Sequence, residues 1–487
     1  MTSRNLTLPG LPRYQPRMLK EVFGYDNLVL PQIEVEWAVL ETFAEIGFMS
    51  TAEAELLTPQ MKAFLCERIT TTLVEDLERR VTEHDIRALV QLMQERMPIP
   101  LRKYVHLSLT SYDVVATADM LRYKQAHQAL RPHIYAVLKQ LGRVTREYAH
   151  AVQMGRTHGQ YAVPITFGFW LGALIERFLW CATQLDCAIS ELRGKISGAV
   201  GAYNAQVAMG IVARAGSPSF EARVLSRLGL RSAVVSTQIV PPEPLAHYLQ
   251  SAVLLSSVVG QLGRDCRHLM RPEIGEISEG FSKGQVGSST MAHKRNPKTF
   301  EQLEGMAILA QSEYSKVLAT LISEHQRDLV GSSIARTFPL ILIYLAQQLE
   351  TLLREKNGLS FIERIKFGTS CAGEKVRQEG RATLAELLYC ALQYAGYPKD
   401  AHMLVSEKIA PLLHSGMRPV HAVHAVAVSE KDDALQEAWT RIPREAREIL
   451  ESGNAALYTG RAAEIAVTAS VRAEAASAVA LGTTKAR

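Results

Sequence analysis

The stretch ITFGFWLGALIERFLWCATQLDCAISELR, residues 165–193, carries apolar side chains on most faces when wound as a helix. LAHYLQSAVLLSSVVGQLGRDCRHLM, residues 245–270, does the same. A helix that is hydrophobic nearly all round has to be covered on several sides. Several such helices in one chain predict a long bundle whose core continues into neighbouring subunits. Further out, LPQIEVEWAVLETFAEIGF (30–48) places apolar residues three and four apart, the spacing of an amphipathic helix. Strand-like alternation is scarce, so the expected fold class is all-α. Residues 1–118 read as an N-terminal domain of shorter helices and loops, 119–372 as a long-helix bundle, and 373–487 as a C-terminal helical domain. The Ala-rich tail AASAVALGTTKAR is expected to fray.

A chain of 487 residues exceeds what one core usually holds and suggests two or three domains. Hydrophobic content of 47% and charged content of 21% place it among soluble globular proteins. The net charge is only +5, and no Lys/Arg stripe interleaves with aromatics, which argues against nucleic acid as a partner and suits a small anionic substrate. The segment 244–263 is long enough to span a bilayer, but its His, Gln and Ser residues make it a helix buried in protein, with no membrane partner expected. The opening MTSRNLTLPGLPRY has no apolar signal-peptide core. Cys66, Cys181, Cys187, Cys266, Cys371 and Cys390 show no paired spacing, which predicts reduced thiols in a cytoplasm and neither a disulfide framework nor a zinc site.

Chemistry concentrates in GQVGSSTMAHKRNPKTFEQLEG (284–305). Asn296 and Pro297 read as N-cap and first position of a helix whose free N–H groups attract anions. Lys294 and Arg295 add charge beside it, and Gly284 and Gly287 free the preceding backbone to adopt unusual angles. Ser288 and Ser289 would then sit over a cationic pocket. A Lys ammonium ~4 Å from a serine alkoxide stabilises it by roughly 4 kcal/mol at an effective dielectric near 20. That corresponds to about three pKa units, enough to make a serine a candidate base toward a weakly acidic C–H. An ordinary Gly-Ser surface loop is the alternative.

Three further groups stand out. Thr82 and Asp85 form a candidate capping pair around His84. His158, between Thr157 and Gly159 and ahead of an apolar helix, is a candidate proton donor to a departing amine, since a polar knot is costly to bury without a use. Thr110 and Ser111 open another helix, suited to carboxylate or phosphate, or to capping alone. His421 and His424 read as plain helix residues. There is no GxGxxG after a strand, no Walker loop, no HExxH and no GxSxG elbow.

GSSTMAHKRNP (287–297) resembles the GSSxMPxKxNP signature of the fumarase/aspartase superfamily. TEHD, HLSLTSYDVVATA, GRTHGQYAVPITFG, KISGAVGAYN, QRDLVGSSIAR, ALYTGRAAEI and the opening RYQPRM resemble blocks of its adenylosuccinate lyase branch, in the same order. The resemblance implies a three-domain, all-helical homotetramer with a long central bundle and active sites shared between subunits. It implies β-elimination of a succinyl-amine with release of fumarate, without metal or organic cofactor. The catalytic set it implies is Ser288 as base, His158 as acid, Lys294 and Asn296 holding the succinyl carboxylate, and His84. Asp85, Thr110, Ser111, Thr157 and Gln238 would line the pocket with His84, while Arg13, Tyr14, Arg327, Ser332 and Arg336 would grip a nucleotide phosphate and its surroundings. Forked cations and hydroxyls match phosphate oxygens. Departures from the pattern are Ala292 for the loop proline, Glu83 before His84, Pro242–Glu243, Ser108, Ala116 and an opening block one residue short. They touch the purine-phosphate side more than the elimination set. A smaller succinyl substrate, or the carboxymuconate cycloisomerase reaction, is therefore the alternative to adenylosuccinate. A non-catalytic bundle protein is a third reading, opposed by the intact Ser288, Lys294, Asn296 and His158.

Overall fold

The computed structural model describes Leu6, residues 15–280, Met291 and residues 293–482. Helices dominate, as the periodicity required. In chain order, the elements that matter for the site are α1 (Leu30–Glu45), α2 (Asp85–Arg96), α3 (Ser111–Glu147), β1 (Val152–Thr157), β2 (Gln160–Thr166), α4 (Phe167–Ala188) and α5 (Glu243–Leu269). They are followed by β3 (Ile277–Ser278), α6 (Lys298–Ala319), α7 (Val330–Ala335), α8 (Pro339–Leu353), β4 (Lys366–Phe367) and α9 (Thr369–Tyr394). The apolar stretches 30–48, 165–193 and 245–270 become α1, α4 and α5. By its contacts the chain divides into two compact units. Residues 1–134, 180–260 and 302–351 form the first, and 135–179, 261–301 and 352–487 the second.

The first unit is packed around aromatic and aliphatic side chains of α1 and α5. Trp37, Leu40 and Phe43 are buried, and Phe43 stacks on Phe220 with ring centroids 5.0 Å apart. Tyr248 is buried and meets Tyr123 edge-on at 6.4 Å. Where Gln348 of α8 meets Ser256 of α5, the buried polar groups are paired. Gln348 is fully buried and donates to the carbonyls of Ser256 (3.1 Å) and Leu303 (2.8 Å), while the Ser256 hydroxyl donates to its oxygen at 2.7 Å. A buried amide without such partners would cost several kcal/mol, on the order of 2–7. The all-round hydrophobicity of α4 and α5 is only partly covered within the chain, with Trp180 57% and Leu254 39% exposed, and Ile308 of α6 is 54% exposed as well.

The second unit is organised by α9, whose Val376, Leu384, Leu388 and Leu392 share a buried cluster with Met154 of β1 and with Val405, Ile409 and Leu413. Packing is close enough that a Cβ on Gly380 would come within 2.7 Å of the Ala455 Cβ. The strands are short. β1 and β2 form an antiparallel hairpin with an irregularity between Met154 and Arg156, and β3 pairs antiparallel with β4 through Ile277–Phe367 and Ser278–Lys366. The hairpin corrects the sequence reading, in which 152–166 had no strand. Its alternation is too brief for a period of two to stand out, and its β1 side is buried at three consecutive positions.

Candidate active site

Thr110 and Ser111 stand at the start of α3, as read from the sequence. The backbone N–H of Thr110 donates to Asp113 Oδ2 at 2.8 Å, and the Asp113 N–H returns a bond to the Thr110 carbonyl at 2.9 Å. Asp113 is fully buried. It also accepts from the N–H groups of Ser197 (3.0 Å) and Gly198 (3.1 Å) and from the ammonium of Lys195, itself fully buried. The KISG turn is thereby pinned to the end of α3 that presents the two hydroxyls. The approach to that end is strained. His106 and Ser108 have φ of 61° and 63°, and the buried Glu36 carboxylate holds His106 through its N–H (3.1 Å) and ring Nδ1 (2.6 Å). Left-handed backbone at such residues costs on the order of 1–3 kcal/mol each and persists only where the surroundings enforce it.

Beside Ser111, Tyr112 is the platform for Arg327. The guanidinium carbon lies 3.2 Å from the ring centroid, a cation–π contact of roughly 0.5–2 kcal/mol. Arg327 donates to Gln238 Oε1 and Ser332 Oγ, both at 2.9 Å, and the hydroxyls of Tyr112 and Ser332 are 2.7 Å apart. Residues from three separate stretches of sequence thus converge. Gln238 is delivered by a tight backbone approach: Gly201, at φ 77°, could not carry a Cβ, which would fall 2.1 Å from the Ser236 carbonyl oxygen. Arg336 ends α7 and is exposed.

In the second unit, Thr157 pairs with Gln160, so His158 and Gly159 are the whole turn of the β1–β2 hairpin. Both have positive φ, 54° and 77°, which is the two-residue turn whose twist suits a hairpin. The knot expected to be buried is instead an exposed tip. Its stem is rigid. Glu276, fully buried, takes Arg156 through both oxygens at 2.6 and 3.0 Å and accepts from Gln153 Nε2 at 2.9 Å. Burial works against the charge on Arg156, but the Glu276 carboxylate overrides it and the guanidinium pKa ends above its ordinary value.

Lys294 is exposed and Asn296 half-buried ahead of α6. The first helical bond, Glu301 N–H to the Pro297 carbonyl (2.9 Å), makes Pro297 the N-cap instead of Asn296. Having no hydroxyl or carboxylate, proline leaves the N-terminal N–H groups to another acceptor. That acceptor is Glu279, which takes Thr299 N–H at 2.7 Å, Phe300 N–H at 3.2 Å and the Thr299 hydroxyl at 3.1 Å. The anion expected at this helix end is therefore a side chain of the protein.

His84 itself is the N-cap of α2, its Nδ1 accepting from Arg87 N–H at 3.4 Å, with Asp85 Oδ1 3.2 Å from the ring. This corrects the Thr82–Asp85 capping pair: Thr82 Oγ1 instead donates to the His84 carbonyl at 2.9 Å, and Asp85 accepts from its neighbour Ile86 at 2.7 Å. Among the described residues, His84 and Asp85 make no hydrogen bond to the Arg327 group. Arg13, Tyr14, Gly284, Gly287, Ser288, Ser289 and Ala292 lie outside the described residues. Sequence reasoning missed Tyr112, Asp113, Lys195, Glu276 and Glu279. The Asp three residues after Thr110 was a legible capping signal. The others gain meaning only from partners distant in sequence.

A family model described as "Lyase" matches residues 48–311. Adenylosuccinate lyase of Thermotoga maritima is 33% identical over 329 residues, 67% of this chain and 72% of that protein. N-acetyl-S-(2-succino)cysteine lyase of Dickeya dadantii is 30% identical over 349 residues, 71% of this chain and 74% of that protein. The solved structure of 3-carboxy-cis,cis-muconate lactonizing enzyme from Pseudomonas putida superposes with a TM-score of 0.76 at 21% identity, covering 95% of this chain and 98% of that one, a likeness of fold. With that fold, and with relatives of this identity over most of its length, the chain belongs to the fumarase/aspartase superfamily, as a lyase of its adenylosuccinate lyase branch.

Proposed function

We propose that this lyase cleaves adenylosuccinate to AMP and fumarate, and acts likewise on the succinylated imidazole-carboxamide ribotide of purine synthesis. Ser288 removes the proton from the succinyl carbon next to the carboxylate. The electron pair left on carbon is delocalised into that carboxylate, which Lys294 and Asn296 hold by charge and hydrogen bonding. The C–N bond then breaks, and His158 gives its proton to the departing nitrogen. His84, Asp85, Thr110, Ser111 and Thr157 line the pocket. Arg13, Tyr14, Arg327, Ser332, Arg336 and Gln238 hold the nucleotide end. The observation that carries this reading is the Tyr112–Arg327–Ser332–Gln238 group beside Ser111, which gathers a cation and hydroxyls suited to phosphate oxygens.

One feature favours a smaller succinyl substrate as a second reading. Gln238 and Ser332 already take one N–H from each end of the Arg327 fork, which leaves fewer of its five donors for a phosphate. The Dickeya dadantii relative is named for a succinyl thioether without a nucleotide. Incubating purified protein with adenylosuccinate and following fumarate and AMP is the direct test. Arg336→Ala is expected to weaken kcat/KM for adenylosuccinate by roughly tenfold to a hundredfold, the weight of a charge-assisted pair of about 1.5–3 kcal/mol. It should leave a phosphate-free succinyl amine nearly unaffected. Equal losses on both substrates would favour the second reading.

The working assembly is proposed to be a cytoplasmic homotetramer with shared sites. Leu254, Ile308, Leu309 and Leu318 are 39–54% exposed, and copies of the chain would cover them. Light scattering on a sizing column should return four times the chain mass, and a stable monomer would rule out shared sites.

A further inference from the structure

Two buried carboxylates three residues apart, Glu276 and Glu279, bracket β3. Each faces a different part of the proposed machinery. Glu276 grips Arg156, two residues before His158, and Gln153 on the same strand. Glu279 grips the first turn of α6, directly after Lys294 and Asn296. The strand between them is fixed on both sides of its length. Ile277 and Ser278 pair with Phe367 and Lys366, the Glu276 carbonyl accepts from Gly368 N–H at 2.8 Å, and the Glu276 N–H donates to the Leu269 carbonyl at 3.0 Å. At Gly280 the backbone runs so close to Arg364 that a Cβ would sit 2.3 Å from its carbonyl oxygen.

We propose that Glu276 and Glu279 are positioning residues of the elimination reaction: one short strand fixes the hairpin that carries His158 and the helix start that follows Lys294 and Asn296. The assignment rests on the roles given to those three residues above. Burying a carboxylate is costly unless its oxygens are filled, and a bidentate pair or a two-N–H cap also restricts orientation. A reacting group displaced by about 1 Å can lose a hundredfold in rate. The two arms therefore carry different kinetic signatures. Loosening the Glu276 arm shifts the proton donor and acts on kcat. Loosening the Glu279 arm shifts the carboxylate clamp and acts on binding.

The test compares Arg156→Lys, Glu279→Ala and Glu279→Gln with the parent enzyme, all normalised to folded protein by thermal unfolding. Arg156→Lys keeps the charge but loses the fork, and should lower kcat roughly tenfold or more with KM changed less than about threefold. Glu279→Ala should raise KM, and weaken fumarate binding by calorimetry, roughly tenfold. Glu279→Gln keeps an oxygen for both N–H groups and should bring binding back to within about threefold of the parent. Fumarate binding does not depend on which amine leaves, so this arm is readable even if the substrate is not adenylosuccinate. Unchanged kinetics in Arg156→Lys and Glu279→Ala, or a Glu279→Gln as impaired as Glu279→Ala, would overturn the proposal. A parallel His158→Ala separates the two levels. Its loss of turnover together with full turnover in Arg156→Lys sinks the brace alone, whereas normal turnover in His158→Ala removes the proton-donor role itself.

Discussion

Ser288→Ala is expected to lose turnover by roughly 10²–10⁴-fold, the usual contribution of a positioned base, while fumarate binds as before. The reason is that the substitution deletes one hydroxyl and none of the groups assigned to the succinyl carboxylate. A serine serves as base only because neighbouring positive charge stabilises its alkoxide, so nothing of similar strength replaces it once the oxygen is gone. The loss should appear equally in kcat and kcat/KM, as for an interaction made only in the transition state. A second readout isolates the step. Solvent deuterium should cease to enter the succinyl carbon, because proton abstraction itself is abolished. Near-normal turnover, or continued exchange, would transfer the role of base to another residue.

Lys195→Met is expected to destabilise the folded chain by about 3–5 kcal/mol, the cost of leaving a buried carboxylate without its cation. Lys195 and Asp113 are both fully buried, and the ammonium also donates to the Gly198 carbonyl at 2.9 Å. Glu221 deepens the effect. Burial already pushes its carboxyl pKa up, and the Lys195 charge is among the influences holding it down, so removing that charge leaves two acids in one apolar region. Denaturant titration measures the loss. The double variant Lys195→Met/Asp113→Asn should recover part of it, since the amide carries no charge to leave unpaired while its oxygen can still accept from the Ser197 and Gly198 N–H groups. A single variant within about 1 kcal/mol of the parent would show that the three backbone N–H groups on Asp113 suffice alone.

Helix identity was readable wherever the apolar period was long: 30–48, 165–193 and 245–270 needed no tertiary information to be placed as α1, α4 and α5. The start of α3 was readable for a related reason, because Thr110 and Asp113 form their cap within one turn. The assignment of Ser288, Lys294, Asn296 and His158 to the elimination came from the resemblance of their sequence blocks, and the predictions above test it.

The surroundings of the helix start after Asn296 and of the hairpin at His158 were not legible, because each depends on a partner that only folding supplies. The cap of α6 was assigned to Asn296, yet its acceptor is Glu279, 20 residues before the Thr299 N–H it takes. Arg156 meets Glu276 across 120 residues, and Lys195 meets Asp113 across 82. What the sequence determined by itself is the local part, the helical class and the cap at the start of α3, since hydrophobic period and short-range capping are properties of neighbours in the chain. The tertiary structure decided the hairpin at His158, the stacking of Arg327 on Tyr112 and the two carboxylates beside β3. A buried charge is tolerated only next to its counter-charge, and which one arrives is settled by packing.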